Sequence, residues 1–354
     1  MNIYQYKHQL FNISYNLVFG GFMNRGARIY RTNSGSIDKN IVDKIYSEGF
    51  PITQYGLYTK REKGYKTFKV AVDAGFSCPN KDGTIDTEGC IFCPKMGRVI
   101  SVEYCNVKYS LKEQIEHQIR RNKEKGIEKF YVYFYPGTNT HASPEYLKEL
   151  WDFALSFDDV LGISIGTRPD CLEDEKLDIL ENYVKEGYEI WIDLGIQTMH
   201  DKTLDFLNRK HSSDDVRRVL LECKKRGILV CGHIILGLPD ESWDMMMETA
   251  KILSDLEIDA LKIYPLVVVE NTKLEEIYWK GEYKSLDEKQ YIHLVADFLE
   301  HISKYVIIQR VSKDKVPEEI KISPEWSLKR LRILNEVSKL LDKRKTKQGS
   351  KYKK

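Results

Sequence analysis

Several things are scarce in this chain, and each shortage closes off a class of protein. No long apolar run is present: the nearest, residues 10–22, carries Asn12, Ser14, Tyr15 and Asn16 and is too short to cross a bilayer. That stretch also lacks the clean apolar centre and small-residue cleavage site of a secretory signal, and Met23 is available as an alternative start. Neither sign of charge dominates: 55 Lys and Arg against 53 Asp and Glu leave a net +2, so global charge selects no partner. A disulfide framework is missing too. Of seven cysteines three are clustered and the others isolated, which, without a signal, points to a reducing cytosol and a cytoplasmic, non-membrane protein. There is no internal repeat beyond an alternation of strands and helices.

What is present centres on residues 71–98, AVDAGFSCPNKDGTIDTEGCIFCPKMGR. A strand at 67–73 runs into a loop carrying Cys78, Cys90 and Cys93 in C-x11-C-x2-C spacing. Pro79, Asn80, Asp82, Gly83 and Gly89 are turn formers, so these thiols sit on irregular chain that lets them converge. Three thiolates leave the fourth iron of a 4Fe–4S cluster without a protein ligand, an open position suited to chemistry. Cys105 follows Cys93 by another x11 interval, so spacing alone also admits a closed four-thiolate zinc site.

Downstream the pattern alternates. Helices are expected at 110–125, 144–157, 173–186, 201–207, 213–226 and 243–256, and strands at 129–135, 160–165, 189–196, 229–236 and 260–268. With the first strand this makes six nearly continuous apolar strands with helices between them, the signature of a parallel sheet buried on both faces. The expected fold is α/β, a partial (β/α)6 TIM-like barrel over residues 51–270, with a small C-terminal α/β extension over 271–342. That extension is read as a helix at 285–303, a short strand at 305–311 and a final helix at 326–341. Residues 1–50 are an unassigned extension, and 55–65 a Tyr/Lys/Arg-rich lead-in to the first strand. The last twelve residues, 343–354, carry seven basic and no acidic side chains and read either as a solvated disordered tail or as an electrostatic arm for nucleic acid. Polar clusters such as PGTNT (136–140), GTRPD (166–170) and GLPDE (237–241) all fall at carboxyl ends of strands, where barrel sites lie. That coincidence favours the open cluster over zinc.

The pieces GFSCPNKDGTIDTEGCIFC, YFYPGTNTHA, GISIGTRPDCL, LGIQTMHDKTL, NRKH, HIILGLPDES and PEWSLKRL, in this order, resemble the radical S-adenosylmethionine (SAM) superfamily. Within it they resemble the YhcC/YtqA-type branch, related to the radical domain of the Elongator catalytic subunit. The resemblance spans residues 51–341 and implies a 4Fe–4S cluster held by Cys78, Cys90 and Cys93, with SAM on its fourth iron. It implies SAM contacts from Thr138 and Asn139 after the second strand, Gln197 at the ribose, Arg209 at the SAM carboxylate and His233 as a variable polar contact. Gly166 stands where many relatives keep a ribose-binding glutamate. The implied activity is reductive cleavage of SAM to a 5′-deoxyadenosyl radical that takes hydrogen from a substrate. A ferredoxin or flavodoxin would be the electron donor and a tRNA wobble uridine the substrate. The alternatives are a non-catalytic zinc-dependent RNA-binding protein, or a radical SAM enzyme acting on a small molecule or peptide. Cys105 is expected to be unligated, Cys171, Cys223 and Cys231 to be structural, and Tyr131, Tyr133 and Tyr135 to share one face of their strand. No catalytic side chain is assigned.

Overall fold

The structure is a computed structural model that describes residues 35–94, 104–312, 320–328 and 330–354. The apolar run at 10–22 and Met23 lie outside them. Six strands follow in chain order: β1 (Thr67–Val72), β2 (Lys129–Phe134), β3 (Val160–Thr167), β4 (Glu189–Gln197), β5 (Leu229–Leu236) and β6 (Ala260–Pro265). Each pairs in parallel with its neighbour in sequence. The helices between them are α3 (Leu111–Lys123), α4 (Pro144–Leu155), α5 (Asp174–Lys185), α6 (Asp201–Phe206), α7 (Ser213–Lys225) and α8 (Trp243–Asp255). Their starts are written in the sequence. Ser110, Ser143, Ser212 and Ser242 each cap a helix by accepting a backbone N–H, a bond whose loss costs roughly 1 kcal/mol.

The α/β half-barrel is therefore the expected fold, with one addition. The strand expected at 305–311 in the extension is β8 (Ile307–Arg310), and it joins the sheet as a seventh parallel strand beside β6. Beyond β6 come the two-residue β7 (Val268–Val269), α9 (Lys273–Trp279), α10 (Glu288–His301) and β9 (Lys321–Ser323), which pairs antiparallel with β7. The last helix is α11 (Arg330–Arg344).

Period-two alternation sorts the strands into two faces. Val70, Val132, Phe134, Ile163, Ile192, Val230 and Ile263 point outward and pack with Leu147, Trp151, Leu180 and Val219 of the helices in one apolar core. Full burial of an aliphatic side chain there contributes roughly 1.5–3 kcal/mol. Because that core lies outside the sheet, the concave face is free to be polar, and it is: Lys69, Tyr133, Ser164, Asp193, His233 and Lys262 occupy it.

The amino ends of the strands are closed by two helices, α1 (Lys39–Ser47) and α2 (Tyr55–Lys63). Val42, Ile45 and Tyr58 pack there with Trp191, Leu229, Ala260 and Ile307. Sequence reading left 1–50 unassigned and took 55–65 as a Tyr/Lys/Arg-rich lead-in without a helix, although the signals exist. Asp38 accepts from Asn40 N at 2.8 Å as an N-cap, Ile41, Val42 and Ile45 recur at helical spacing, and Gly64 ends α2 in the left-handed conformation at φ 78.

The basic tail is neither a disordered coil nor a free arm. Lys343 and Arg344 belong to α11, and residues 345–354 dock along α10 and the chain just before α2. Gln348 is buried, and its amide accepts from Thr53 N at 3.0 Å and donates to Ser303 O at 2.9 Å and Val306 O at 2.7 Å. Its backbone N donates to Pro51 O at 2.9 Å, and its carbonyl accepts from the Tyr46 hydroxyl at 2.8 Å. Several of the basic groups are neutralised locally: Arg344 and Lys351 meet Glu300, which has no exposed side-chain surface, and Lys354 meets Glu257. Composition reported the charge of the tail but not these distant acids.

Candidate active site

The cysteine loop lies at the carboxyl end of the sheet, fastened on two sides. On one, Thr138 N donates to Ser77 O at 3.0 Å, and Gly137 (φ 95) approaches so closely that a Cβ there would stand 2.7 Å from Phe76 O. On the other, Asn80 Nδ2 donates to Asn208 O at 2.6 Å, Asn208 Nδ2 donates to Gly89 O at 2.8 Å, and Ile91 N donates to Leu207 O at 3.2 Å. Apolar Ile91, Leu207, Ile235, Leu266 and Leu274 pack as a small core around it. An irregular loop is thus made rigid by the strand ends around it, which suits a ligand-bearing segment.

Arg209 is central. Nη1 donates to Cys90 Sγ at 3.3 Å, Nη2 to Gly195 O at 2.8 Å and Nε to His211 Nε2 at 3.1 Å. His211 stays neutral, pushed down to about 3 by burial and by Arg209. The Cys93 thiol hydrogen-bonds to Cys90, and this bond together with the Arg209 guanidinium holds Cys90 well below the usual thiol range against the cost of its burial. Cys93 is raised by the same bond and by burial. A thiolate held by a cation is the form that ligates metal.

Arg168, which sequence reading quoted within a motif but gave no role, faces both Cys78 and Cys90. Nε and Nη2 grip Asp170 at 2.9 and 2.8 Å and Nη2 donates to Arg209 O at 2.6 Å, while Nη1 is buried without a partner. Asn139 carries the matching acceptor. Nδ2 donates to Pro136 O, Gly137 O and Gly166 O, at 3.3, 3.2 and 2.9 Å, which leaves Oδ1 buried and unpaired. Thr138 is buried beside it, and Gln197, at φ 70 on a bulge of β4, puts its amide next to Gly195 and Arg209. A Cβ at Gly166 would stand 3.2 Å from Phe134 O and 3.7 Å from Asn139 Nδ2, so a side chain there would need the neighbouring strand to give by a few tenths of an ångström. Buried polar atoms are normally satisfied, so an orphan donor and an orphan acceptor beside three cysteines fit a ligand bearing both a carboxylate and an amine.

His233 is placed differently from the others: it lies deeper, inside the barrel. Its Nε2 donates to Asp193 Oδ1 at 3.0 Å, and Asp193 also receives Lys69 Nζ at 3.2 Å and, in shorter contacts, Lys262 Nζ and Ser164 Oγ. Burial would raise Asp193, but Lys262 and Lys69 overcome it and hold the carboxyl well below its usual range. Burial and Lys262 push His233 down to about 4, so it is neutral. Sequence reading missed this cluster. The signal was available as single charges, Lys69, Asp193 and Lys262, at inward positions of otherwise apolar strands. Among the scattered cysteines, Cys105 is buried and its thiol donates to Tyr135 O at 3.4 Å. Burial raises Cys171 and Cys231 to about 12 and lifts Cys223 as well, so these are protonated core thiols.

The Radical SAM superfamily model matches residues 87–253, and the Radical_SAM C-terminal domain model matches 258–343. The chain belongs to the radical SAM superfamily. It is 64% identical over 315 residues to an uncharacterised protein of Methanocaldococcus jannaschii, covering 89% of this chain and 97% of that one. YtqA of Bacillus subtilis is 41% identical over 81% of this chain and 88% of its own. A tRNA uridine(34) acetyltransferase of M. jannaschii is 30% identical over only 44% of this chain and 28% of its own. Among solved structures, M. infernus Elp3 lacking its N-terminus superimposes with a TM-score of 0.59 at 21% identity, covering 80% of this chain and 64% of that one. Radical SAM proteins are enzymes that use a 4Fe–4S cluster and SAM, which sets aside the zinc-dependent binding protein. No helix among the described residues is long and apolar enough to cross a membrane.

Proposed function

We propose that Cys78, Cys90 and Cys93 hold the cluster of this radical SAM enzyme and that the orphaned polar atoms around them receive the methionine part of SAM. The observation that carries the reading is the convergence of Cys90, Arg209, Arg168 Nη1 and Asn139 Oδ1 at one end of the sheet. Asn139 Oδ1 accepts from the SAM amino group, with Thr138 beside it. A guanidinium, Arg209 with Arg168 adjacent, takes the carboxylate through charge-assisted hydrogen bonds. Gln197 faces the ribose. When bound, the cluster and SAM together supply a 5′-deoxyadenosyl radical that abstracts hydrogen from the substrate. The protein's share is orientation and the exclusion of water by the packed strand ends. A one-electron donor such as a ferredoxin or flavodoxin completes the system.

For the substrate we favour a tRNA wobble uridine, on the strength of the partial likeness to the tRNA uridine(34) acetyltransferase. A small molecule is the second reading, supported by the enclosed polar interior of the barrel. The test is anaerobic reconstitution with iron and sulfide, then assay for 5′-deoxyadenosine with and without bulk tRNA. Formation of 5′-deoxyadenosine supports the enzyme assignment, and stimulation by tRNA supports the substrate. If no 5′-deoxyadenosine forms with a full cluster and a strong reductant, the cofactor site is wrong.

A further inference from the structure

Six successive strands each put a polar side chain into the barrel: Lys69, Tyr133, Ser164, Asp193, His233 and Lys262. Barrel interiors are usually filled by branched apolar residues, and buried ion pairs seldom stabilise a fold. Such an expensive interior marks a site. Its charges do not balance at this level. Two ammonium groups share the one carboxylate of Asp193, and His233 is neutral. Glu189, one layer below, is taken by Lys63 Nζ at 2.7 Å and Trp191 Nε1 at 2.7 Å, so it does not cancel the surplus.

The cluster also has a direction. Asp193 and Lys262 side chains are 0% and 4% exposed, whereas Lys69 and His233 are 16% and 21% exposed, so the lysine and the histidine are the more accessible members of the cluster. Nε2 of His233 is committed to Asp193, which leaves Nδ1 as a bare acceptor without a partner among the described residues. In register His233 faces Gly195, whose carbonyl binds Arg209, so the cluster lies directly below the cysteine site. Asp193, Cys231 and His233 bring ligand atoms within 4.8 Å of one another, a donor set open to a metal ion. The two ammonium groups on Asp193 and the protonated Cys231 argue against a cation there.

We propose that this cluster is the substrate subsite of the barrel and that it receives an anionic group, a carboxylate or a phosphate, at the ammonium groups of Lys69 and Lys262 beside Asp193, with His233 Nδ1 accepting from a neighbouring O–H or N–H of the same ligand. The inference deepens the radical SAM reading, because it gives the hydrogen donor a polar anchor beneath the cofactor. Asp193 positions both lysines.

The test is calorimetric titration of the reconstituted protein with sodium acetate and with inorganic phosphate, against sodium chloride at matched ionic strength. Binding of one simple anion in about the millimolar range is expected, and the anion preferred tells carboxylate from phosphate. Lys69→Met should weaken that binding at least about ten-fold, while Lys69→Arg, which keeps the charge, should stay near wild type. Asp193→Asn raises the local charge and should tighten it several-fold, where a metal site would show the reverse, losing a bound divalent ion. Iron content and melting temperature of each variant establish that it is folded. They also separate failure of this proposal from failure of the cofactor site, which depends on the cysteines. Wild type that binds neither anion, or affinity unchanged in folded Lys69→Met, overturns the proposal.

Discussion

Gln348→Ala isolates the docking of the tail without touching its charges. The substitution orphans Thr53 N, which lies in a fully buried residue, and the carbonyls of Ser303 and Val306. At about 1 kcal/mol for each lost bond, with more where a group stays buried and unpaired, the cost is about 3 kcal/mol. For a domain of this size that corresponds to a fall in melting temperature of roughly 5 °C. Differential scanning calorimetry of the purified full chain measures it. Lys353→Gln, at an exposed position of the same segment, is the control and should stay within about 0.5 kcal/mol of wild type. Hydrogen exchange supplies a second readout, since the amides of Gln348, Gly349 and Lys351 donate to Pro51, Leu299 and Glu300 and should be protected only while the tail is docked. If Gln348→Ala melts with the wild type and those amides exchange freely in both, the tail is not part of the fold and its basic groups return to the solvent.

Replacing Cys78, Cys90 or Cys93 by Ala should abolish the cluster and its iron, whereas Cys105→Ala should keep both; equal loss in Cys105→Ala revives the four-thiolate site. Arg209→Ala should weaken SAM binding by about ten- to a hundred-fold in equilibrium dialysis. Because Nη1 also supports Cys90, iron retention should fall with it, and an unchanged SAM dissociation constant removes Arg209 from the site. Neutralising Lys343, Lys345 and Lys353 to Gln, rather than deleting the tail, tests tRNA contact: each lost phosphate contact should flatten the log–log salt slope by roughly 0.7–0.9. Burial raises Asp259, at the amino end of β6, to about 7, above its unfolded value near 3.9. Its contribution is therefore complete below about pH 4 and is lost as pH rises through 7. Asp259→Asn should gain on the wild type over that interval, by at most about 4 kcal/mol, and parallel stability curves would refute the shift.

The alternation of strands and helices was legible because it rests on local periodicity, and the helix starts because Ser110, Ser143, Ser212 and Ser242 cap through their own neighbours. The cysteine loop was legible for a similar reason: spacing and turn residues are local. What escaped depends on partners far away in the chain. Thr53 and Gln348 are 295 positions apart, so nothing near 348 announces burial. Gln348 reads as one polar residue in a basic run, and only Glu300, Asp297 and Glu257 make that run a docked strap. Strand β8 escaped the sheet because four residues behind a long insertion give no sign of their neighbour. The lumen cluster is the instructive case. A lysine or aspartate in an apolar strand reads as an isolated exception, and becomes a site only when Asp193 is seen to gather Lys69, Ser164, His233 and Lys262 from four other strands.

The two unexpected features, tail and lumen, are mechanically connected. Tail hydrogen bonds end on Tyr46, Pro51 and Thr53, which hold the segment leading into α2. Thr53 O also accepts from Ile308 N at 2.8 Å, so the same segment is pinned to β8 from the other side. The first residue of α2 is Tyr55, whose ring stands edge-on to Trp191 with centroids 6.2 Å apart. The Lys69 ammonium lies 5.9 Å from the Tyr55 ring, 5.4 Å from Trp191 and 5.5 Å from Tyr133, inside the range of cation–π attraction. Burial lowers the Lys69 pKa, and the aromatic cage and Asp193 are what keep a cation tolerable there. A lysine stabilised by ring faces from the floor of the barrel is sensitive to the position of that floor, and the floor is held by residues at the extreme carboxyl end of the chain. Anion affinity in the lumen should therefore weaken in Gln348→Ala even though Gln348 touches none of the lumen residues. A tail that merely decorated the surface would leave that affinity unchanged.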